Sequence, residues 1–294
     1  RQNRCRVRCG AGVMSVQVFD ERVCKLGEGP LWHPGRGQLF WFDILKKRLL
    51  SRQGGEEFHW DFDEHVSAAG WVDHSTLLIA SETALLRLDL ETGEKTHVAA
   101  LKAEKPLTRS KDGRADPWGG FWIGTMVKNA EPKAGAIYQF YRCQVTTRFT
   151  SKTVSNAIFF ATDRSCAYFC DTRTRRIMRH ALSETDGRPQ GPPEDFIDLY
   201  AQGLNPDGAV VDAAGCLWKA QWGASRVARY APIGAFLDAV GNSAERMTCP
   251  AFGGENRETL FATSAALGMK GPHDGLTFSV TGVATGQPEY AVIL

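Results

Sequence analysis

Three oxygen-bearing side chains stand in short polar stretches far apart in the chain. They are Glu28 in Gly27-Glu28-Gly29-Pro30, Asn156 in Ser155-Asn156-Ala157, and Asp207 in Asn205-Pro206-Asp207-Gly208. A fourth stretch, Arg109-Ser110-Lys111-Asp112-Gly113, is denser in charge than a turn requires. Two carboxylates and an amide oxygen suit a hard divalent cation that keeps waters at its open positions. Taken singly, each has a plainer role: Glu28 as a loop residue, Asn156 as a turn asparagine, Asp207-Gly208 and Asp112-Gly113 as tight-turn dipeptides. They become a site only if the fold brings the four stretches together.

The rest of the sequence supplies such a fold. Long helical patterns are absent, and short β-rich runs recur between Gly, Pro, Asp and Asn. GQLFWFDI (37–44), STLLIASE (75–82), GGFWIGTM (119–126), SCAYFCDT (165–172), GCLWKAQW (215–222) and ETLFATSA (258–265) resemble one another. Between Phe40, Leu78, Trp122, Tyr168, Trp218 and Phe261 the steps are 38, 44, 46, 50 and 43 residues. That period matches one four-stranded blade of a β-propeller, so the expectation is an all-β, six-bladed propeller over residues 14–294. The strand SVQVFD (15–20) would complete the last blade, with PEYAVIL (288–294) adding to the same closure; closing a ring hides sheet edges. Inner strands would then bring the four polar stretches around a central channel, where a metal site could form. Asp112-Gly113 would be the turn into blade three.

Composition narrows the function classes. The chain has 294 residues, 43% hydrophobic and 23% charged, as in an ordinary globular protein. No run approaches the roughly 18–20 apolar residues of a membrane-spanning helix, so a membrane partner is not expected. The formal charge of +2 has a local origin. Four of the 35 basic residues lie in residues 1–13, which hold no acid; the remainder carries 31 bases against 33 acids, a charge of −2. Without a basic face, nucleic acid is not an expected partner. Residues 1–13 read as an unstructured leader or extension ahead of Met14. Of eight Cys, six are scattered over Cys24, Cys143, Cys166, Cys170, Cys216 and Cys249. They read as buried free thiols of a cytoplasmic protein, and no second pair complements Cys166 and Cys170 for metal binding.

The stretches LGEGPLW, DGRADPWGGFWIGTM, VSNAIFFATDRSCAYFCDT, NPDGAVVDAAGCLW and TCPAFGG, in this order, resemble the senescence marker protein/gluconolactonase family, which includes regucalcin and bacterial sugar lactonases. The likeness runs from about Cys24 to Ala265. It implies a six-bladed propeller with one divalent metal in the channel, held by Glu28, Asn156 and Asp207. Substrate contacts would come from Arg109, the Lys111 position and Asn129, and the substrate would be a small sugar lactone. The metal would be Ca²⁺ in the first place, with Mg²⁺, Mn²⁺ or Zn²⁺ as alternatives, and the protein a monomer or weak homodimer. In the implied mechanism the metal polarises the lactone carbonyl and offsets charge on the tetrahedral oxyanion. Asp207 is the candidate general base, and Arg109 and Asn129 position the sugar hydroxyls. The sequence has no Gly-x-Ser-x-Gly elbow, which disfavours a serine esterase.

Two residues depart from the family pattern. Lys111 and Lys219 stand where asparagine is usual. Lysine is longer, charged and unable to accept a hydrogen bond. Near a dication it would repel the metal or swing toward Asp207; pointed at solvent it would do little. The alternatives to a metal-dependent lactonase are therefore a calcium-binding or regulatory propeller with an attenuated site, and a lactonase preferring substrates with an anionic group. Hydrolysis of other esters, such as organophosphorus esters, and a purely structural scaffold are more remote.

Overall fold

The computed structural model describes residues 6–8, 13–101, 108–128 and 132–294. Six four-stranded antiparallel sheets follow one another as blades. Their innermost strands are Gly27–His33, Val66–Asp73, Thr108–Ala115, Ser155–Phe160, Asn205–Val211 and Met247–Gly253. Each packs beside the next and the sixth beside the first, closing a ring around the channel. In blade six the outermost strand is Gln17–Asp20, paired with Thr277–Thr281, so the N-terminal strand closes the ring as expected. No helix among the described residues is long and apolar enough to cross a membrane.

The six similar sequence units are the second strands of the blades. Gln38–Asp43, Thr76–Ser81, Phe121–Val127 and Cys166–Asp171 are buried at every position, because both faces of a blade are covered by its neighbours. Alternate side chains enter different cores. Leu77 and Ile79 pack toward Phe40 and Phe42 of blade one, while Leu78 and Ala80 pack toward Phe121 and Ile123 of blade three. The other blade junctions are filled likewise, by Trp122 with Phe160, by Tyr168 with Tyr230, by Trp218 with Phe252, and by Phe261 with Trp41. Two turn signals have a visible cause. Buried Asp116 accepts hydrogen bonds from the Gly120 amide (2.8 Å) and Trp122 Nε1 (3.1 Å), and Asp212 does the same for the Cys216 amide and Trp218 Nε1, both at 2.9 Å.

Four expectations need correction. Asp112-Gly113 is not a turn: both lie inside the inner strand of blade three, at a bulge between Ser110 and Gly113. Gly113 is needed for close approach, since a Cβ there would sit 2.8 Å from the Trp122 carbonyl oxygen. PEYAVIL does not join the last blade. It crosses the floor of the channel, where Val292 N–H donates to the Trp71 carbonyl and Ile293 N–H to that of Gly119, both at 2.8 Å. Cys143 is exposed, on the turn between the third and fourth strands of blade three, while the other five described cysteines are buried and free. In the segment read as an unstructured leader, Arg6–Arg8 pairs with Val13–Ser15 as a short antiparallel ribbon. Charge composition, on which that reading rested, carries no information about strand pairing.

Candidate functional site

Every inner strand carries a bulge near its start. The register shifts between Glu28 and Leu31, Val66 and Ala68, Ser110 and Gly113, Asn156 and Phe159, Pro206 and Ala209, and Met247 and Pro250. A bulge turns side chains off the regular alternation of a strand, and here it aims Glu28, Lys111, Asn156 and Asp207 at the channel axis. In blades one and four the residue after the site residue takes a left-handed conformation, Gly29 at φ 53° and Ala157 at φ 55°. A non-glycine residue there stores strain of about 1–2 kcal/mol.

Buried aspartates at the ends of second strands hold two of these entries. The Asp43 carboxylate accepts from the amides of Lys25 (2.8 Å) and Leu26 (3.1 Å), fixing the chain just before Glu28. The Asp171 carboxylate accepts from Thr153 (2.7 Å) and Val154 (3.1 Å), just before Asn156. Thr172 Oγ donates to the Pro206 carbonyl at 2.9 Å, tying blade four to the strand that carries Asp207. Asp112 accepts from the Ile158 amide at 2.9 Å and locks blade three to blade four. The sequence reading missed these positioning groups. The polar ending shared by FDI and CDT was the available signal for Asp43 and Asp171.

The structure brings five of the six expected site residues together. Glu28, Asn156, Asp207, Arg109 and Lys111 are buried at the mouth of the channel; Asn129 lies outside the described residues. Above them opens a cavity of about 600 Å³, lined by Arg109, Lys111, Asn156 and Asp207 with Arg173, Arg175, Tyr200, Asn205 and Trp222 among others. Arg109 Nη1 donates to the Ser110 carbonyl at 3.1 Å. Its strand neighbour Lys111 reaches across the channel: the ammonium pairs with Glu28 Oε1 and lies 3.2 Å from Asp207 Oδ1. Asn156 Nδ2 donates to the same Asp207 oxygen, while Asn156 Oδ1 accepts from the Ala157 amide at 3.1 Å. Lys219 is fully buried, its ammonium 2.9 Å from the Asp207 backbone carbonyl and 3.9 Å from Cys170 Sγ. Neither lysine points to solvent.

Burial governs the protonation of these groups. It pushes the Glu28 carboxyl up to about 8, with Lys111 opposing the shift and Asp207 adding to it. Burial alone would pull Lys111 down, but the Asp207 and Glu28 carboxylates outweigh it and hold the ammonium above the usual lysine range. The Cys170 thiol beneath is pushed up to about 11, again by burial.

The donor set converges, but its arrangement does not fit a divalent ion. The point shared by the Glu28 and Asp207 carboxylates is taken by an ammonium, and Asn156 turns its N–H groups, not its oxygen, toward Asp207. No cluster of three His, Cys, Asp or Glu among the described residues offers an alternative metal centre.

Residues 26–266 match the family described as SMP-30/Gluconolactonase/LRE-like region. The chain belongs to this family. It is 38% identical to a putative sugar lactone lactonase of Rhizobium meliloti over 274 residues, which cover 90% of this chain and 93% of that protein. It is 34% identical to a 6-deoxy-6-sulfogluconolactonase of Pseudomonas putida, over 82% of this chain and 83% of that one. Among solved structures, a calcium-binding protein from Agrobacterium tumefaciens, regucalcin, superimposes with a TM-score of 0.92 at 36% identity, covering 94% of this chain and 97% of that chain. Family and six-bladed fold thus agree with the sequence reading.

Proposed function

We propose that this propeller hydrolyses a sugar lactone at the mouth of its channel. The observation that carries the reading is the convergence of Asp207, Asn156, Glu28, Arg109 and Lys111 beneath a cavity of about 600 Å³, in a chain with lactonase relatives. Ester hydrolysis needs a base for the attacking water and positive charge where the oxyanion develops. Asp207 takes the first role. Arg109 and Lys111 present positive charge to the cavity and take the second, Arg109 also holding the substrate's hydroxyls or acid group. Glu28 anchors the Lys111 ammonium. In the metal-assisted form of the reaction, which the family resemblance implies, Glu28, Asn156 and Asp207 would hold the ion; because Lys111 pairs with both carboxylates and Asn156 donates to Asp207, no step is assigned to a metal.

The cavity lining also bears on the substrate class. Among the described residues that line it, Arg109, Lys111, Arg173 and Arg175 stand with one acid, Asp207. That balance favours lactones carrying an anionic group, the class named for the Pseudomonas putida relative. A second reading, a binding or regulatory propeller with an attenuated site, is favoured by the same Lys111 ion pair.

The test is a panel of neutral and anionic sugar lactones, with ring opening followed by proton release. Wild type should open at least one anionic member faster than its neutral counterpart. Asp207→Asn should lose about 10²–10⁴-fold, the usual contribution of a general base, with an unchanged circular dichroism spectrum. A folded wild type inert on the whole panel overturns the lactonase reading in favour of the regulatory one.

A further inference from the structure

The centre made by Glu28, Asn156 and Asp207 has the composition of an oxygen-ligand metal site, yet a side chain of the protein already fills it. Lys111 stands in the inner strand of blade three and its target acids stand in blades one and five. Its ammonium lies between two carboxylates with which no other cation among the described residues forms an ion pair. The Lys111 side chain is only 7% exposed, and those of Glu28 and Asp207 are 0% and 5%, so the three form a buried group rather than a surface ion pair.

We propose that Lys111 is the resident cation of this centre, and that the protein takes up no Ca²⁺, Mg²⁺, Mn²⁺ or Zn²⁺ between Glu28 and Asp207.

Three further observations support this. The first is the state of the donors. Asp207 Oδ1 already accepts from both Asn156 Nδ2 and Lys111, and Asn156 Oδ1 already accepts from the Ala157 amide. A dication shared by the two carboxylates would have to displace the ammonium from both. The second is Lys219, whose ammonium sits 2.9 Å from the backbone carbonyl of Asp207, with no carboxylate bonded to it among the described residues. It places a second buried positive charge behind the same ligand, from a different strand. The third is the balance within the channel, where the acids Glu28, Asp112 and Asp207 share the interior with Arg109, Lys111 and Lys219. A dication entering there would meet positive charge on several sides and little uncompensated negative charge to hold it. Displaced from its acids, Lys111 would leave a buried pair for the cavity while staying close enough to repel the ion.

This inference concerns occupancy of the centre and is read independently of hydrolysis. Wild type, Lys111→Asn and Lys111→Met would each be freed of metal by chelation, then titrated calorimetrically with Ca²⁺, Mn²⁺ and Zn²⁺. Metal content after dialysis would be measured in parallel, and folding checked by circular dichroism. Wild type should retain no stoichiometric metal. Lys111→Asn should bind one equivalent at least about 100-fold tighter than wild type, as removal of a close like charge predicts. Lys111→Met, which keeps the stem and removes the charge, should move in the same direction and serves if the asparagine variant fails to fold. Wild type binding one equivalent that Glu28→Gln abolishes would overturn the proposal. So would folded Asn and Met variants that both bind no better than wild type. If these metal results come out as expected and the lactone panel stays silent, the occupancy inference stands while the lactonase reading falls.

Discussion

Lys111 and Arg114 lie three residues apart on one strand, and each spends its charge at a different end of the channel. At the mouth, Lys111 reaches Glu28 and Asp207, from two other blades, under an open cavity. At the floor, Arg114 Nη1 lies 2.6 Å from Glu289 Oε1, on the segment that crosses beneath the ring. That segment is tied down on several sides. Trp71 Nε1 donates to the Glu289 carbonyl at 3.2 Å, Gln287 Nε2 to the Phe160 carbonyl at 3.3 Å, and Arg257 Nε to the Gly286 carbonyl at 3.0 Å. Val292 adds apolar contact with the core shared by blades two and three. The floor pair is therefore one link in a seal, and losing it exposes a packed core. The mouth pair has a cavity beside it, so its partners can exchange with a substrate. A buried ion pair acts structurally or chemically according to what its neighbours allow to move.

That contrast can be broken at either end. The largest stability effect should come from Glu289→Ala, which leaves Arg114 buried without its carboxylate and should cost about 3–5 kcal/mol, read as a lowered midpoint in urea. Lactone opening per folded molecule should stay within about twofold; an equal loss of activity and stability would show that the two ends are not separate devices. Next in size is Arg109→Ala at the mouth. It should lower kcat/KM on anionic lactones by about 10–100-fold through lost positioning, and leave the urea midpoint nearly unchanged. A stability loss matching that of the floor variant would remove the distinction. The smallest effect sharpens where the wall between the ends is closed. Burial holds the Cys24 thiol up to about 12, Cys170 up to about 11 and Cys249 well above its usual value. Among the described cysteines, timed alkylation with peptide mapping should therefore modify exposed Cys143 first, and reach Cys170 and Cys249 only as the protein unfolds. Early labelling of Cys249 would mean that the channel opens between mouth and floor in the native state.

Much of this could be read from the sequence, for a definable reason. A second strand covered on both faces must be apolar along its whole length and must stop at a turn, so six such runs at one period announce six blades. The site stretches were legible as polar interruptions at equivalent places in that repeat. What the stretches do locally was not legible. An Asp-Gly dipeptide serves a tight turn through positive φ, but Gly113 serves a close approach between strands, and the two uses share one spelling. Gly208 is a second case, since a Cβ there would lie 2.3 Å from Cys249 Sγ. The C-terminal PEYAVIL has the composition of a strand, and only the positions of the Trp71 and Gly119 carbonyls direct it along the floor.

Sequence alone determined the ring, the order of its blades, the residues carried to its axis and the family to which they belong, because repeat period and apolar patterning follow from burial that every blade shares. The target of Lys111 was decided by tertiary structure. A flexible four-carbon stem can point to solvent or to any acid within its length, and the choice rests on where the Glu28 and Asp207 strands stand across the channel. The same holds for the Arg114–Glu289 pair: contacts between residues about a hundred or more positions apart have no local signature, since distance along the chain and distance in the fold are set by different forces.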